Sequence, residues 1–268
     1  MKTIFIKLKK NKRVKKYFWI TTSIIFMVGL WWILAETFFS QTEVIPTPIE
    51  VMRQMGQSAG TRMLWINIWN TLWKVLVTFL VSFLLSFLLA VLAAWRDEAR
   101  HFISPIVTVL RALPTIGVVF ILFMVLRGQN IVAIVIASLM IFPVMYENFY
   151  AALKEVDQKL IQLSKVYNIS FLKQIRVIYI PHLMPHAFAS SIAGIGMGLK
   201  IVIAAEILSV TFSNTLGTAM VIANMDGGGM LFMWILVAVL LSFVLEGIVR
   251  LIAYFAMPWK RRKGGDSK

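Results

Sequence analysis

Apolar runs dominate this sequence, and each is about as long as a lipid bilayer is thick. A hydrocarbon core of about 30 Å takes about 20 helical residues at about 1.5 Å each. Runs near that length or longer cover 17–39, 66–94, 102–126, 131–149, 185–210 and 231–256. Lipid offers no partner to a bare N–H or C=O, so such segments must be helical. The expected fold class is an all-α polytopic membrane protein with six transmembrane helices. The hydrophobic share is 59% and the mean hydropathy +0.81, where soluble domains are closer to half apolar.

The charge supports the same reading. The formal net charge is +15, which in a soluble domain would suggest nucleic acid. Here the cations cluster at the ends of the apolar runs, where they anchor a chain to an anionic membrane surface. Lipid is the expected partner and nucleic acid is not. Residues 1–16 hold eight Lys/Arg and no acid. A secretory leader also begins this way, but its apolar stretch is shorter and ends in small residues, so 17–39 reads as a retained first helix. With the first tail inside, the inner segments carry those eight cations, Arg96 and Arg100, five in 150–184 and five in 257–268. The outer segments carry only Arg53, Arg62 and Arg127. The positive-inside rule then places both termini in the cytoplasm, as basic tails 1–16 and 257–268.

Between the first two spans, 40–65 is mixed. Thr47-Pro48-Ile49-Glu50 has the form of a helix start, with Thr47 as N-cap, Pro48 in the first turn and Glu50 closing a capping box. It predicts a short interfacial helix; a plain loop is the alternative. The core is expected over 66–256, with a large inner loop at 150–184. Apolar residues at near-helical spacing there (Leu160, Leu163, Val166, Ile169, Leu172) predict short helices packed on something. The outer loop at 211–230 ends in Gly227-Gly228-Gly229, read as a flexible joint.

Within the inner loop, Gln162-Leu163-Ser164, Asn168 and Ile178-Tyr179-Ile180-Pro181 have a distinctive spacing. It resembles the signature loop of ABC importer permeases: E-A-A, three residues, G, nine residues, I-x-L-P. The spacing fits, while Gln162 replaces Glu, Leu163 and Ser164 the alanines, Asn168 the glycine and Ile180 the leucine. Asn suits a turn that needs a left-handed residue. Val156 to Leu160, Leu113-Pro114, Ala204-Ala205-Glu206 and Leu216-Gly217 are similar to the branch that imports nitrate, sulfonates, taurine and thiamine-precursor pyrimidines. The resemblance covers roughly 44–256. It implies a six-helix permease that dimerises, a coupling helix seated on a separate ATPase subunit that holds ATP and Mg, and an extracytoplasmic substrate-binding protein that delivers the solute. No cofactor is expected on this chain, which lacks a G-x-x-x-x-G-K-[ST] phosphate loop. The ATPase contact then falls on Asp157, Lys159, Leu160, Gln162, Leu163, Ser164, Lys165, Tyr167, Asn168 and Pro181. The alternative is a loop helix packed only on its own chain.

Polar residues inside spans are functional candidates because burying charge in lipid is costly. Glu206 and Lys200 are six residues apart, about 240° around a helix, so they do not share a face. Each reads either as a tie between helices or as a substrate contact. Pro114 and Gly217 complete a candidate translocation pathway. Lys74 is expected to snorkel outward. Ser190, Gly194 and Gly198 form a small-residue face for helix packing or substrate clearance. His182 and His186 have i, i+4 spacing, but Pro185 intervenes and no third ligand is visible, so no metal site is expected. The absence of cysteine removes thiolate chemistry. No catalytic constellation supports an enzyme. A stand-alone secondary carrier or channel is the main rival to a transport subunit; it usually needs two repeats and buried ion sites.

Overall fold

The computed structural model describes residues 2–38, 45–126, 131–209, 213–226 and 229–258, with only the backbone of 2–14, 16 and 38. Phe39, Arg127, Val210, Gly227-Gly228, the tail cations from Lys260 onward and the side chains of the first tail's other cations lie outside the described residues; Lys15 lies within them.

Every regular element among the described residues is helical: α1 (Lys2–Phe38), α2 (Pro48–Ala59), α3 (Arg62–Trp95), α4 (Asp97–Ala112), α5 (Thr115–Val125), α6 (Ile131–Lys154), α7 (Gln158–Val166), α8 (Phe171–Gln174), a π-helical turn (Ile175–Tyr179), α9 (Ile180–Ser209), α10 (Leu216–Met225) and α11 (Gly229–Ala256). Among the described residues, five stretches are long and apolar enough to cross a membrane: Tyr17–Thr37 of α1, α3, α6, Phe171–Ser209 ending in α9, and α11.

The sixth expected span, 102–126, is not one helix. α4 and α5 meet at a 99° bend. Leu113 and Pro114 adopt extended angles, ψ 131° and 118°. Proline removes a backbone donor and its ring disfavours the helical region for the residue before it, so the chain turns there. Pro105 and Pro143 sit inside α4 and α6 without ending them. The short helix expected within 40–65 is present, and one loop reading, at 211–230, is replaced by a helix. Residues 40–65 contain α2, whose first turn is capped as expected: the Thr47 hydroxyl accepts the Glu50 N–H at 3.4 Å. The outer loop 211–230 contains α10.

The described chain divides into two compact units. In the first (Met1–Arg62 with Met220–Ile235), the Trp31 ring stacks on Phe232 at 6.2 Å. In the second (Met63–Ala219 with Leu236–Lys268), α6 and α9 pack along one another. Ser190, Gly194 and Gly198 are buried on α9. A Cβ at Gly194 would lie 2.9 Å from Met145 Cε, and one at Gly198 would lie 3.0 Å from Ile141 Cδ1. The small-residue face therefore seats α6 of the same chain. In lipid, where apolar side chains gain nothing by leaving water, this close packing is a main source of helix association.

α3 carries a buried polar stripe that the sequence reading missed: Asn67, Thr71, Lys74, Thr78, Ser82 and Ser86. The three- and four-residue spacing puts them on one face. Ser82 and Ser86 donate to the Ser138 and Phe142 carbonyls of α6, at 3.3 and 2.9 Å. Such interhelical bonds average about 0.6 kcal/mol each inside a membrane protein. The opposite side of α3 exposes Leu80, Leu84, Leu88 and Leu92, as a lipid-facing surface should.

Candidate functional site

Two places gather the candidate residues, the loop between α6 and α9 and a polar junction at the far end of α9. The loop is a built element. The Asp157 carboxylate caps α7 by accepting the Lys159 N–H at 2.8 Å. At the other end, Asn168 has φ 49°, the one positive φ among the described non-glycine residues. The Ile169 N–H donates to the Ser164 carbonyl at 2.8 Å and the Asn168 N–H to the Lys165 carbonyl at 3.1 Å. These are the paired bonds of a Schellman stop. The Gln174 amide then donates to the Ile169 carbonyl at 2.8 Å, bracing the turn into α8. Ser164 is buried and its hydroxyl donates to the Ile161 carbonyl at 2.7 Å, so a small residue suits that position. Pro181 lies in the first turn of α9, directly after the π-helical turn, in which the Ile180 N–H reaches back to the Ile175 carbonyl. Proline has no N–H to continue the α-pattern there.

Leu160 and Leu163 of α7 and its C-cap residue Tyr167 fall at i, i+3 and i+7, hence on one face. They are 48%, 51% and 74% exposed. Lys159, Gln162 and Lys165 are exposed around them. The loop does not bury this face against its own chain.

Asn168 offers a clean test of the turn. Asn168→Gly should preserve it, because glycine enters the left-handed region freely. Asn168→Val should cost about 1–2 kcal/mol, the strain of a left-handed residue with a Cβ, more so when branched. Hydrogen exchange of the α7 amides checks this: it should rise in the valine variant alone.

At the junction, Glu206 is 2% exposed. Its carboxylate accepts from Lys74 Nζ at 2.9 Å, from the Thr71 hydroxyl at 2.9 Å and from the Gly217 N–H at 3.2 Å. Thr71 in turn accepts the Leu216 N–H at 3.0 Å. One carboxylate thus ties α3, α9 and the start of α10. Gly217 sits so close that a Cβ there would lie 2.4 Å from Glu206 Cβ and 2.8 Å from the Ile203 carbonyl oxygen. Lys74 does not snorkel, contrary to expectation. It is buried because its ammonium has a buried carboxylate to meet, which lowers the cost of leaving water. Of the four pathway candidates, Glu206 and Gly217 meet here. Lys200 is exposed on another face of α9, with no ion pair among the described residues, and Pro114 forms the α4–α5 bend. Glu155 also stands beside His182 and His186. The sequence reading missed it because 27 residues separate it from His182.

The family described as binding-protein-dependent transport system inner membrane component matches residues 82–254. The chain belongs to this family. Two solved structures share the fold of this inner-membrane component. Inward-facing MetNI methionine ABC transporter matches at 19% identity with a TM-score of 0.55, over 71% of this chain and 97% of that one. A bacterial ABC transporter involved in import of the acidic polysaccharide alginate matches at 14% identity with a TM-score of 0.61, over 90% and 97%. Comparison with curated proteins gives no match. By its family the chain is a multi-pass membrane component of a transport system. Its partners in Glu206 pairing escaped sequence reading because Lys74 and Glu206 are 132 residues apart. The signal that could have found α3's role is the run of polar residues every three or four positions from Asn67 to Ser86.

Proposed function

We propose that this chain is the permease subunit of an ATP-driven ABC importer in a bacterial inner membrane, with both termini cytoplasmic. Two copies would enclose a pathway for a small solute of the nitrate, sulfonate, taurine or thiamine-precursor-pyrimidine type, delivered by an extracytoplasmic binding protein. ATP and Mg belong to separate ATPase subunits. The observation that carries this reading is α7: capped at both ends, bounded by an Asn168 turn in the signature spacing, and displaying Leu160, Leu163 and Tyr167 outward. A chain with no nucleotide site needs a rigid surface on which a partner can act. In this reading Asp157 and Asn168 fix the ends of that surface, Leu160, Leu163 and Tyr167 fill a groove on the ATPase, and Lys159 and Lys165 sit at its rim. One solved relative is a methionine ABC transporter and another is involved in import of alginate, so the shared fold leaves the solute to the lining residues and the binding protein.

Leu160→Asp with Leu163→Asp tests the docking. Both side chains are about half exposed, so the thermal midpoint of the purified chain should not move. The ATPase subunits should cease to co-purify, and ATP-dependent uptake into vesicles should fall at least about 30-fold, as when a contact worth about 2 kcal/mol is lost. Retained co-purification with normal uptake would reject the docking face. Uptake that persists without ATP at constant membrane potential would favour a secondary carrier.

A further inference from the structure

Glu155, His182 and His186 each bring one ligand atom to a cluster in which all lie within 4.8 Å of one another. The two imidazoles are one turn apart, with ring centroids 5.5 Å apart, because α9 continues through Pro185 without a break. Glu155 lies in the short link between α6 and α7, its N–H bonded to the Ala151 carbonyl at 3.0 Å. His182 Nε2 lies 3.1 Å from the Ala152 carbonyl oxygen. A carbonyl only accepts, so in the tautomer that makes this contact Nε2 donates and Nδ1 is the nitrogen able to bind a metal. Metal-ligating imidazoles are commonly held this way, with the second ring nitrogen donating to a backbone carbonyl. Arg100 and Lys154 sit over the Tyr150 ring at 5.1 and 5.8 Å. Among the described residues no ion pair neutralises Glu155.

We propose that Glu155, His182 and His186 form a three-ligand site for a divalent transition-metal cation of the zinc class. Two imidazoles and a carboxylate suit such an ion, whereas calcium and magnesium favour all-oxygen shells. Tetrahedral bonds of about 2.0–2.1 Å place ligand atoms about 3.3 Å apart, so the cluster must close slightly around the ion. Glu155 is exposed and free to rotate inward; water takes the fourth position. Filling the site pins the hinge ahead of Asp157 to the first turns of α9, so the metal clamps both ends of the α7 loop. That consequence rests on the proposed docking role of α7; metal binding itself does not.

The test uses tag-free, full-length chain in detergent, titrated with Co(II) and then displaced by Zn(II). One Co(II) per chain with visible d–d absorption is expected, together with a Zn(II)-dependent rise in thermal midpoint, since a ligand that binds only the native state stabilises it. His186→Ala and Glu155→Gln should each weaken binding at least about tenfold. No uptake of either ion, or binding unchanged by both substitutions, overturns the site. In vesicles containing the ATPase partners, Zn(II) should slow ATP-dependent uptake several-fold in the unmodified chain and not in His186→Ala. Zn(II) bound at the site with uptake unaltered overturns the clamp.

Discussion

Glu206→Gln is expected to destabilise the chain by about 3–5 kcal/mol, the range for breaking one side of a buried ion pair. The substitution keeps the shape and an acceptor for Thr71 and the Gly217 N–H, so the main change is the charge. Lys74 is then left with a buried ammonium and no counter-ion, and the cost falls on that group rather than on the lost contact. The thermal midpoint in detergent should drop sharply and the yield of monodisperse protein with it. Adding Lys74→Met should recover most of the loss, because a buried pair replaced by neutral groups of similar size is often nearly neutral. Recovery in the double variant would assign Glu206 to holding α3, α9 and α10 together. A double variant that folds but does not transport would place the pair in the pathway. A single variant as stable as the parent would remove the ion pair from the chain's architecture.

Gly217→Ala is expected to cost about 3 kcal/mol or more, at the upper end of overpacking effects. The added methyl would meet Glu206 Cβ at 2.4 Å, the Ile203 carbonyl oxygen at 2.8 Å and the Ile207 nitrogen at 2.9 Å. Two of those three are backbone atoms of α9, which no rotamer change can move. Relief requires α10 to back away from α9, and that stretches the Gly217 N–H bond to Glu206. Gly247→Ala is the control. A Cβ there meets nothing within 4 Å, and alanine is a better helix former than glycine by up to about 1 kcal/mol. Its midpoint should hold or rise slightly. Equal midpoints for the two alanine variants would show that the close approach at Gly217 does not constrain the chain.

These two expectations share a cause. In lipid the apolar surface of a helix is satisfied with or without a neighbour, so helices find specific partners through small residues and polar ties. Glu206 with Lys74 supplies the tie, Gly217 the close approach, and Gly194 against Met145 does the same between α9 and α6. The apolar residues that dominate the composition set where the chain resides, while a handful of exceptions set how it packs.

That division also separates what was legible in the sequence from what was not. Apolar run length and backbone hydrogen bonding alone determined that the chain is all-helical and crosses a membrane. Local backbone chemistry determined the Thr47 cap, while the left-handed turn at Asn168 was legible through the resemblance of the loop's spacing, with asparagine suited to that turn. Tertiary structure alone decided the rest. Run length does not reveal a 99° bend, because α4 and α5 together have the composition of one span and only the backbone at Leu113-Pro114 redirects them. It was tertiary packing, too, that buried Lys74 against Glu206 and brought Glu155 to His182 and His186. Those groups meet only after helices distant in sequence pack side by side, and hydropathy carries no information about which helix lies beside which.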